Sequence, residues 1–233
     1  MTLNWNLFRK KHILIAGVGG LGSIVSEICS RIGVGEISIF DFDNVNHENL
    51  NRMIFKEKHI GKTKVEVIKN YLNEINSNVV VNEFHGDIMG FELEDKFQKQ
   101  MKSCDIAFLC LDNVPARQYF NSIAIQESTT YIDAGMLRSG MGGYVHLCIP
   151  KKTACYQCNA VKTNDIELNI AKLPCTASIP TVINIVASLQ AHHMIKYFLQ
   201  FGTVPDFIQY NAFTDEFLKS ELKRDPECHV CGD

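Results

Sequence analysis

The sequence is short of several features at once, and each shortage removes a class of function. Lys and Arg number 23 against 26 Asp and Glu, a formal charge of -3 over 233 residues, so there is no basic excess to draw the chain onto a nucleic-acid backbone. No uninterrupted apolar stretch comes near the roughly 20 residues of a membrane span. The best candidate, residues 179–199, is broken by Asn184, Gln190, His192, His193 and Lys196. No charged-then-apolar leader opens the chain, which is therefore expected in the cytosol. No repeat, low-complexity tract or evident linker divides it, so a single domain over residues 1–233 is expected. What remains is ordinary globular composition, 46% hydrophobic and 21% charged, enough to bury one substantial core. Nine cysteines in such a chain are metal ligands, reactive thiols or core residues rather than a disulfide frame.

Strand-like apolar runs at 13–16, 36–40, 79–84, 106–109 and 130–133 alternate with helical periodicity at 24–32, 62–76, 93–101 and 115–127. That alternation predicts a Rossmann-like, doubly wound α/β fold with a mainly parallel sheet. Later runs at 143–149 and 206–211 are expected as antiparallel strands, and 180–198 as a long helix with Pro180 in its first turn. Residues 1–150 would form a nucleotide-binding half. Residues 151–181 would form a polar crossover loop, and 182–233 the long helix and late strands.

Between the first strand and first helix lies Gly17-Val18-Gly19-Gly20-Leu21-Gly22. Glycines permit a tight turn and close approach to a phosphate, and the N–H groups at a helix start favour negative charge. Alone, the pattern fits NAD as well as ATP. The residues that follow arbitrate. Asp41 or Asp43, at the end of the second strand, could hold a ribose. Asn49, Arg52 and Lys64 supply an amide and two cations, for which a dehydrogenase has no evident need, whereas a triphosphate carries extra negative phosphates to be clamped. Asp112, in Leu111-Asp112-Asn113 after the fourth strand, sits at the carboxyl edge where such sheets bind ligands and is assigned to magnesium. Taken singly, a solvated Arg52, a helix-surface Lys64 and a helix-capping Asp112 are the plainer readings. Their combination with the loop favours ATP.

Cys155-Tyr156-Gln157-Cys158 and Cys228-His229-Val230-Cys231 form two C-x-x-C pairs. Four thiolates complete a tetrahedral zinc site with no open position, so a structural metal is expected, tying the crossover loop to the tail. Cys175, just before the long helix, is a candidate nucleophile, since a thiol near a helix N-terminus can ionise readily. Cys29, Cys104, Cys110 and Cys148 sit in or beside apolar segments and read as small core residues. A structural role is the default for His192 and His193.

Taken together, the glycine loop, Asp41-Phe42-Asp43, Asn49-Leu50-Asn51-Arg52, Gly61-Lys62-Thr63-Lys64, Leu111-Asp112-Asn113 and both cysteine pairs closely resemble the E1-like (ThiF/MoeB/HesA) adenylyltransferases over nearly the whole chain. The runs 174–181 and 201–204, with Tyr210-Asn211-Ala212, look most like the compact ufmylation type. The resemblance implies an enzyme that uses ATP and Mg2+ to adenylate the C-terminal glycine of a small ubiquitin-like or sulfur-carrier protein ending in Gly-Gly. Gly17, Gly19, Gly20, Gly22 and Asp41 would then hold the adenine nucleotide, and Asn49, Arg52 and Lys64 its phosphates. Asp112 would bind magnesium, Cys155, Cys158, Cys228 and Cys231 zinc, and Cys175 the activated carrier as a thioester. It also implies a homodimer, in which relatives reach across with an N-terminal arginine. Only sixteen residues precede Gly17 here, leaving Arg9 or a partner subunit to supply that charge. Alternatives at this point are adenylation of a tRNA base or a peptide terminus, a non-catalytic E1-like subunit of a heterodimer, and an NAD-dependent oxidoreductase.

Overall fold

The computed structural model describes residues 4–51, 54–137, 139–158 and 179–232. Arg52 and Cys175 lie outside the described residues. The chain begins with a 3-10 turn, Trp5–Lys10, and then alternates through β1 (His12–Ala16), α1 (Gly20–Arg31), β2 (Glu36–Asp41), α2 (Lys64–Ile75), β3 (Val80–His85), α3 (Glu94–Ser103), β4 (Ile106–Leu109), α4 (Val114–Gln126) and β5 (Tyr131–Met136). It continues through β6 (Gly142–Cys148), α5 (Pro180–Leu199), β7 (Phe207–Asn211) and β8 (Glu216–Ser220).

These strands form one eight-stranded sheet in the order β3-β2-β1-β4-β5-β6-β7-β8. The first five pair in parallel and the last three join antiparallel. Alternation along the central strands explains the two layers of helix. Ile13, Ile15, Ile37, Ile39, Phe108 and Ile132 face one apolar layer with residues of α1, α2 and α5. Leu14, Ala16, Phe40, Ala107, Leu109 and Tyr131 face the other, with α3, α4 and the four cysteines of the C-x-x-C pairs. A strand buried on both faces needs an unbroken apolar run, which is what β1 and β4 contain.

Three expectations are corrected in detail. α1 starts at Gly20 rather than 24, so the second half of the glycine motif is already helix. β5 runs to Met136, beyond the expected end at 133. β8 was not expected at all; its residues are nearly all exposed, and Phe217 and Leu218 lie at the sheet's edge. Among the described residues no helix is long and apolar enough to cross a membrane.

The order reverses between β1 and β4, each of which runs on to a loop at its carboxyl end. An open α/β sheet binds its ligand in the crevice above such a switch point. Here that crevice lies between the glycine loop and Leu111-Asp112-Asn113.

Candidate nucleotide and metal sites

Two glycines of the loop are required by packing. Gly17 has φ +87°, and a Cβ there would stand 2.6 Å from the Cys110 carbonyl oxygen, so β1 and β4 leave the sheet in contact. At Gly22 a Cβ would meet the Gly17 carbonyl at 1.8 Å, so α1 closes on its own loop only without a side chain. The turn is further held by Gly17 N–H donating to the Phe40 carbonyl at 2.7 Å.

Asp41 ends β2 with its side chain turned back onto this loop. One carboxylate oxygen accepts from Val18 N–H at 2.8 Å and the other from Asp43 N–H at 2.9 Å. It is only 8% exposed. Burial pushes its carboxyl above the ordinary value, opposed by the charge of Lys64 and by the two N–H donors. Each oxygen keeps an unused lone pair, so the same group that shapes the loop can accept from a ribose hydroxyl.

Lys64 reaches this place by a local clasp. Asn44 and Thr63 form an antiparallel bridge, Val45 N–H donates to the Lys62 carbonyl at 2.8 Å, and Gly61 N–H returns the bond to Val45 at 2.9 Å. Thr63 then caps α2 by accepting from Glu66 N–H, placing Lys64 at the first helical position. Its ammonium lies 2.6 Å from the Asp43 carboxylate, and the residue is 7% exposed. The helix-surface reading of Lys64 is therefore wrong. Asn49 is buried as well, interlocked with Asn46 through reciprocal amide-to-backbone bonds. The glycine loop, Asp41, Asp43 and Lys64 thus form one connected group, 21 residues separating the Asp43–Lys64 pair.

Asp112 stands across the crevice and is exposed. Among the described residues its carboxylate has no hydrogen bond or ion pair. The cap of α4 is Asn113, whose side chain accepts from Ala116 N–H at 2.9 Å, so Asp112 is not the capping residue and is free to ligate. A hard carboxylate oxygen suits magnesium. Arg9 belongs to the 3-10 turn ahead of β1, at the opposite end of that strand from Gly17. About 16 Å of strand separates them at the usual rise, which takes Arg9 away from its own chain's glycine loop.

The four cysteines of the C-x-x-C pairs meet on the α4 side of the sheet, all four sulfurs within 4.8 Å of one another. Cys155 lies 3.8 Å from Cys158 and from Cys228, and Cys158 lies 3.3 Å from Cys231. Sulfurs about 2.3 Å from a tetrahedral zinc would be about 3.8 Å apart, so the cluster has the size zinc needs. The core reading of the other thiols also stands. Burial pushes Cys104, Cys110 and Cys148 up to about 12 and raises Cys29 as well, which favours the neutral thiol over the nucleophilic thiolate.

A family model described as the ThiF family matches residues 5–230. The chain belongs to the ThiF family. Among curated relatives it is 34% identical over 232 residues to ubiquitin-like modifier-activating enzyme 5 of Aedes aegypti, covering 94% of this chain and 58% of that protein. The protein of the same name from Dictyostelium discoideum is 30% identical over 237 residues, covering 97% and 62%. The chain therefore spans about three-fifths of the relatives it matches. Among solved structures, E. coli MccB with ATP is 28% identical with a TM-score of 0.81, covering 98% of this chain and 68% of that one. PaaA, at 16% identity and TM-score 0.76, shares the fold.

For a ThiF-family chain, what escaped the sequence reading is a buried polar group beside the crevice. Arg117, Asp133 and Tyr144 converge there from α4, β5 and β6, while Gln190 approaches β5 from α5 on the other face of the sheet. Gln190 donates to the Ile132 carbonyl at 2.8 Å and accepts from the Cys110 thiol at 3.4 Å. The one sequence signal was an arginine on the inward face of a helix otherwise carrying Ala116, Phe120 and Ala124.

Proposed function

We propose that the chain is the adenylation domain of an ATP-dependent activating enzyme. Its substrate is the C-terminal carboxylate of a small ubiquitin-like or sulfur-carrier protein ending in Gly-Gly. The observation that carries this reading is the connected group of glycine loop, Asp41, Asp43 and Lys64 facing Asp112 across the switch-point crevice. The relatives' name supports the choice of substrate class, and the fit to MccB with ATP supports the choice of nucleotide.

In this reading the whole of residues 1–233 is one domain. The glycine loop and the α1 N-terminus receive phosphates, Asp41 the ribose, and Asn49, Arg52 and Lys64 the triphosphate charge. A carrier carboxylate oxygen attacks the α-phosphorus, the bond to the β-phosphate oxygen breaks, and pyrophosphate leaves. Cations aimed at the phosphate oxygens stabilise the charge that develops there. Magnesium held by Asp112 would neutralise the leaving pyrophosphate, and zinc in the cysteine cluster would be structural. The active unit is a homodimer, or a heterodimer with a subunit supplying the trans cation that Arg9 does not bring to its own crevice.

ATP-pyrophosphate exchange tests the reading. Exchange should appear only with a Gly-Gly-ending carrier and should need Mg2+, and its absence with every carrier offered would reject it. The likeness to MccB, a biosynthetic enzyme solved in complex with N-formylated MccA, supports a second reading in which the carboxylate does not belong to a carrier protein, a peptide terminus being the candidate. Exchange with a peptide and with no carrier protein would select that one.

The next step uses Cys175. Its thiolate attacks the adenylated carbonyl, forming a thioester and releasing AMP. A reductant-sensitive adduct of chain and carrier is expected, lost in Cys175→Ala while exchange persists. An adduct that survives the substitution removes Cys175 from the pathway.

A further inference from the structure

Among the described residues no side chain bonds the exposed Asp112 carboxylate, yet a metal ligand must be held in place. Its position is set from its neighbours' backbone. On one side, Asn113 is fixed as the cap of α4 through Ala116 N–H. On the other, the Leu111 carbonyl belongs to the peptide plane that enters Asp112, and Arg117 Nη1 donates to it at 2.5 Å.

Arg117 is itself clamped. The same Nη1 donates to the Ala134 carbonyl at 3.3 Å. Nη2 donates to the Asp133 carboxylate and to the Tyr144 hydroxyl, the latter at 2.8 Å. The Tyr156 ring, between Cys155 and Cys158, lies 5.1 Å from the guanidinium carbon. One planar fork therefore ties the Asp112 loop to β5, to β6 and to the segment bearing the first cysteine pair. Arg117 is 6% exposed and Asp133 fully buried. A buried ion pair contributes little net stability, because desolvating both charges offsets their attraction. An apolar pair would fill the same space, but could not grip the Leu111 carbonyl.

We propose that Arg117 is a positioning residue that holds the Asp112 carboxylate for a divalent cation. The inference rests on the reading of Asp112 as the magnesium ligand. It predicts a defect in metal use, separate from a general weakening of the fold. A lysine in its place keeps a charge but is a point donor, without the planar fork that reaches several acceptors at once.

The test is equilibrium binding of ATP to the full chain by calorimetry across a Mg2+ series, with no turnover required. Removing a group hydrogen-bonded to a metal ligand costs about 10-fold to 100-fold in metal affinity, and Arg117, acting through the Leu111 carbonyl one peptide away, is expected at the lower end. Arg117→Lys should therefore raise the Mg2+ concentration for half-maximal ATP binding about tenfold, toward that of Asp112→Asn, while affinity at saturating Mg2+ is nearly kept. Tyr144→Phe deletes one hydroxyl of the clamp, should shift the midpoint the same way by less, and provides the readout if Arg117→Lys does not fold. A merely structural role would weaken ATP binding at every Mg2+ concentration and leave the midpoint in place. If Asp112→Asn moves the midpoint and neither clamp variant does, the inference falls and the reading of Asp112 stands. If Asp112→Asn leaves the midpoint unmoved, or the unaltered chain binds ATP without regard to Mg2+, both fall.

Discussion

Lys64→Ala should lower carrier-dependent ATP-pyrophosphate exchange by about 10²–10³, the usual cost of removing one electrostatic contact to the transition state. The loss has two sources. The deleted ammonium is the cation tied most closely to the glycine loop among the described residues, through Asp43 at 2.6 Å and Asp43's own N–H on Asp41. Its removal also leaves Asp41 and Asp43 as neighbouring carboxylates without their counter-charge, facing incoming phosphates. At an effective dielectric of 20, like charges 4 Å apart repel by about 4 kcal/mol, so the crevice would turn from attracting a triphosphate to resisting it. The fold should survive, since the Asp43 side chain is 44% exposed and Thr63 still caps α2. Asp112→Ala should cost about as much exchange by a different route, loss of the metal ligand, and with little change in thermal midpoint because the exposed carboxylate makes no hydrogen bond or ion pair with a described residue. Exchange within threefold of the unaltered chain in either variant would remove that residue from the chemistry.

How much of this was legible depends on how local the deciding contacts are. The parallel strands were, because burial on both faces leaves continuous runs such as Ile13 to Ala16. The cysteine cluster was, because each pair supplies two ligands from one turn. Lys64 was legible as a candidate only, since the clasp of Asn44 and Val45 on residues 61–63 that buries it is a tertiary event. The start of α1 was misjudged because the glycines that shape the loop also occupy its first turn. β8 was missed because a strand exposed on both faces carries no alternation. The Arg117 clamp was illegible for a stronger reason. Asp133, Tyr144 and Tyr156 meet it only once β5 and β6 pair antiparallel with Gly135 opposite Tyr144, and no spacing in the sequence encodes that register.

Withdrawing metal from the cysteine cluster should produce the largest loss of stability. One zinc per chain is expected on metal analysis. Binding to four-ligand sites in peptides is worth about 10–16 kcal/mol at neutral pH. If only about a third of that reaches the folded chain, at the ~2–4 °C per kcal/mol of a domain this size, the thermal midpoint falls by roughly 10 °C. A zinc-selective chelator or the pair Cys228→Ser and Cys231→Ser should both do it; an unchanged midpoint after complete removal would sink the structural role. The damage should not stay local. Cys155 accepts from the Asn121 amide at 3.7 Å, Asn121 accepts from the Tyr131 hydroxyl at 2.6 Å, and that hydroxyl accepts from Tyr156 N–H at 2.8 Å. Loosening the cluster should therefore loosen Tyr156, over whose ring the Arg117 guanidinium lies. Zinc-depleted chain that is still folded should need more Mg2+ to bind ATP, as is expected of Arg117→Lys. A cluster that only fastens the tail would lower the midpoint and leave the Mg2+ requirement untouched, so measuring both on the same sample separates a fastening from a support for the crevice.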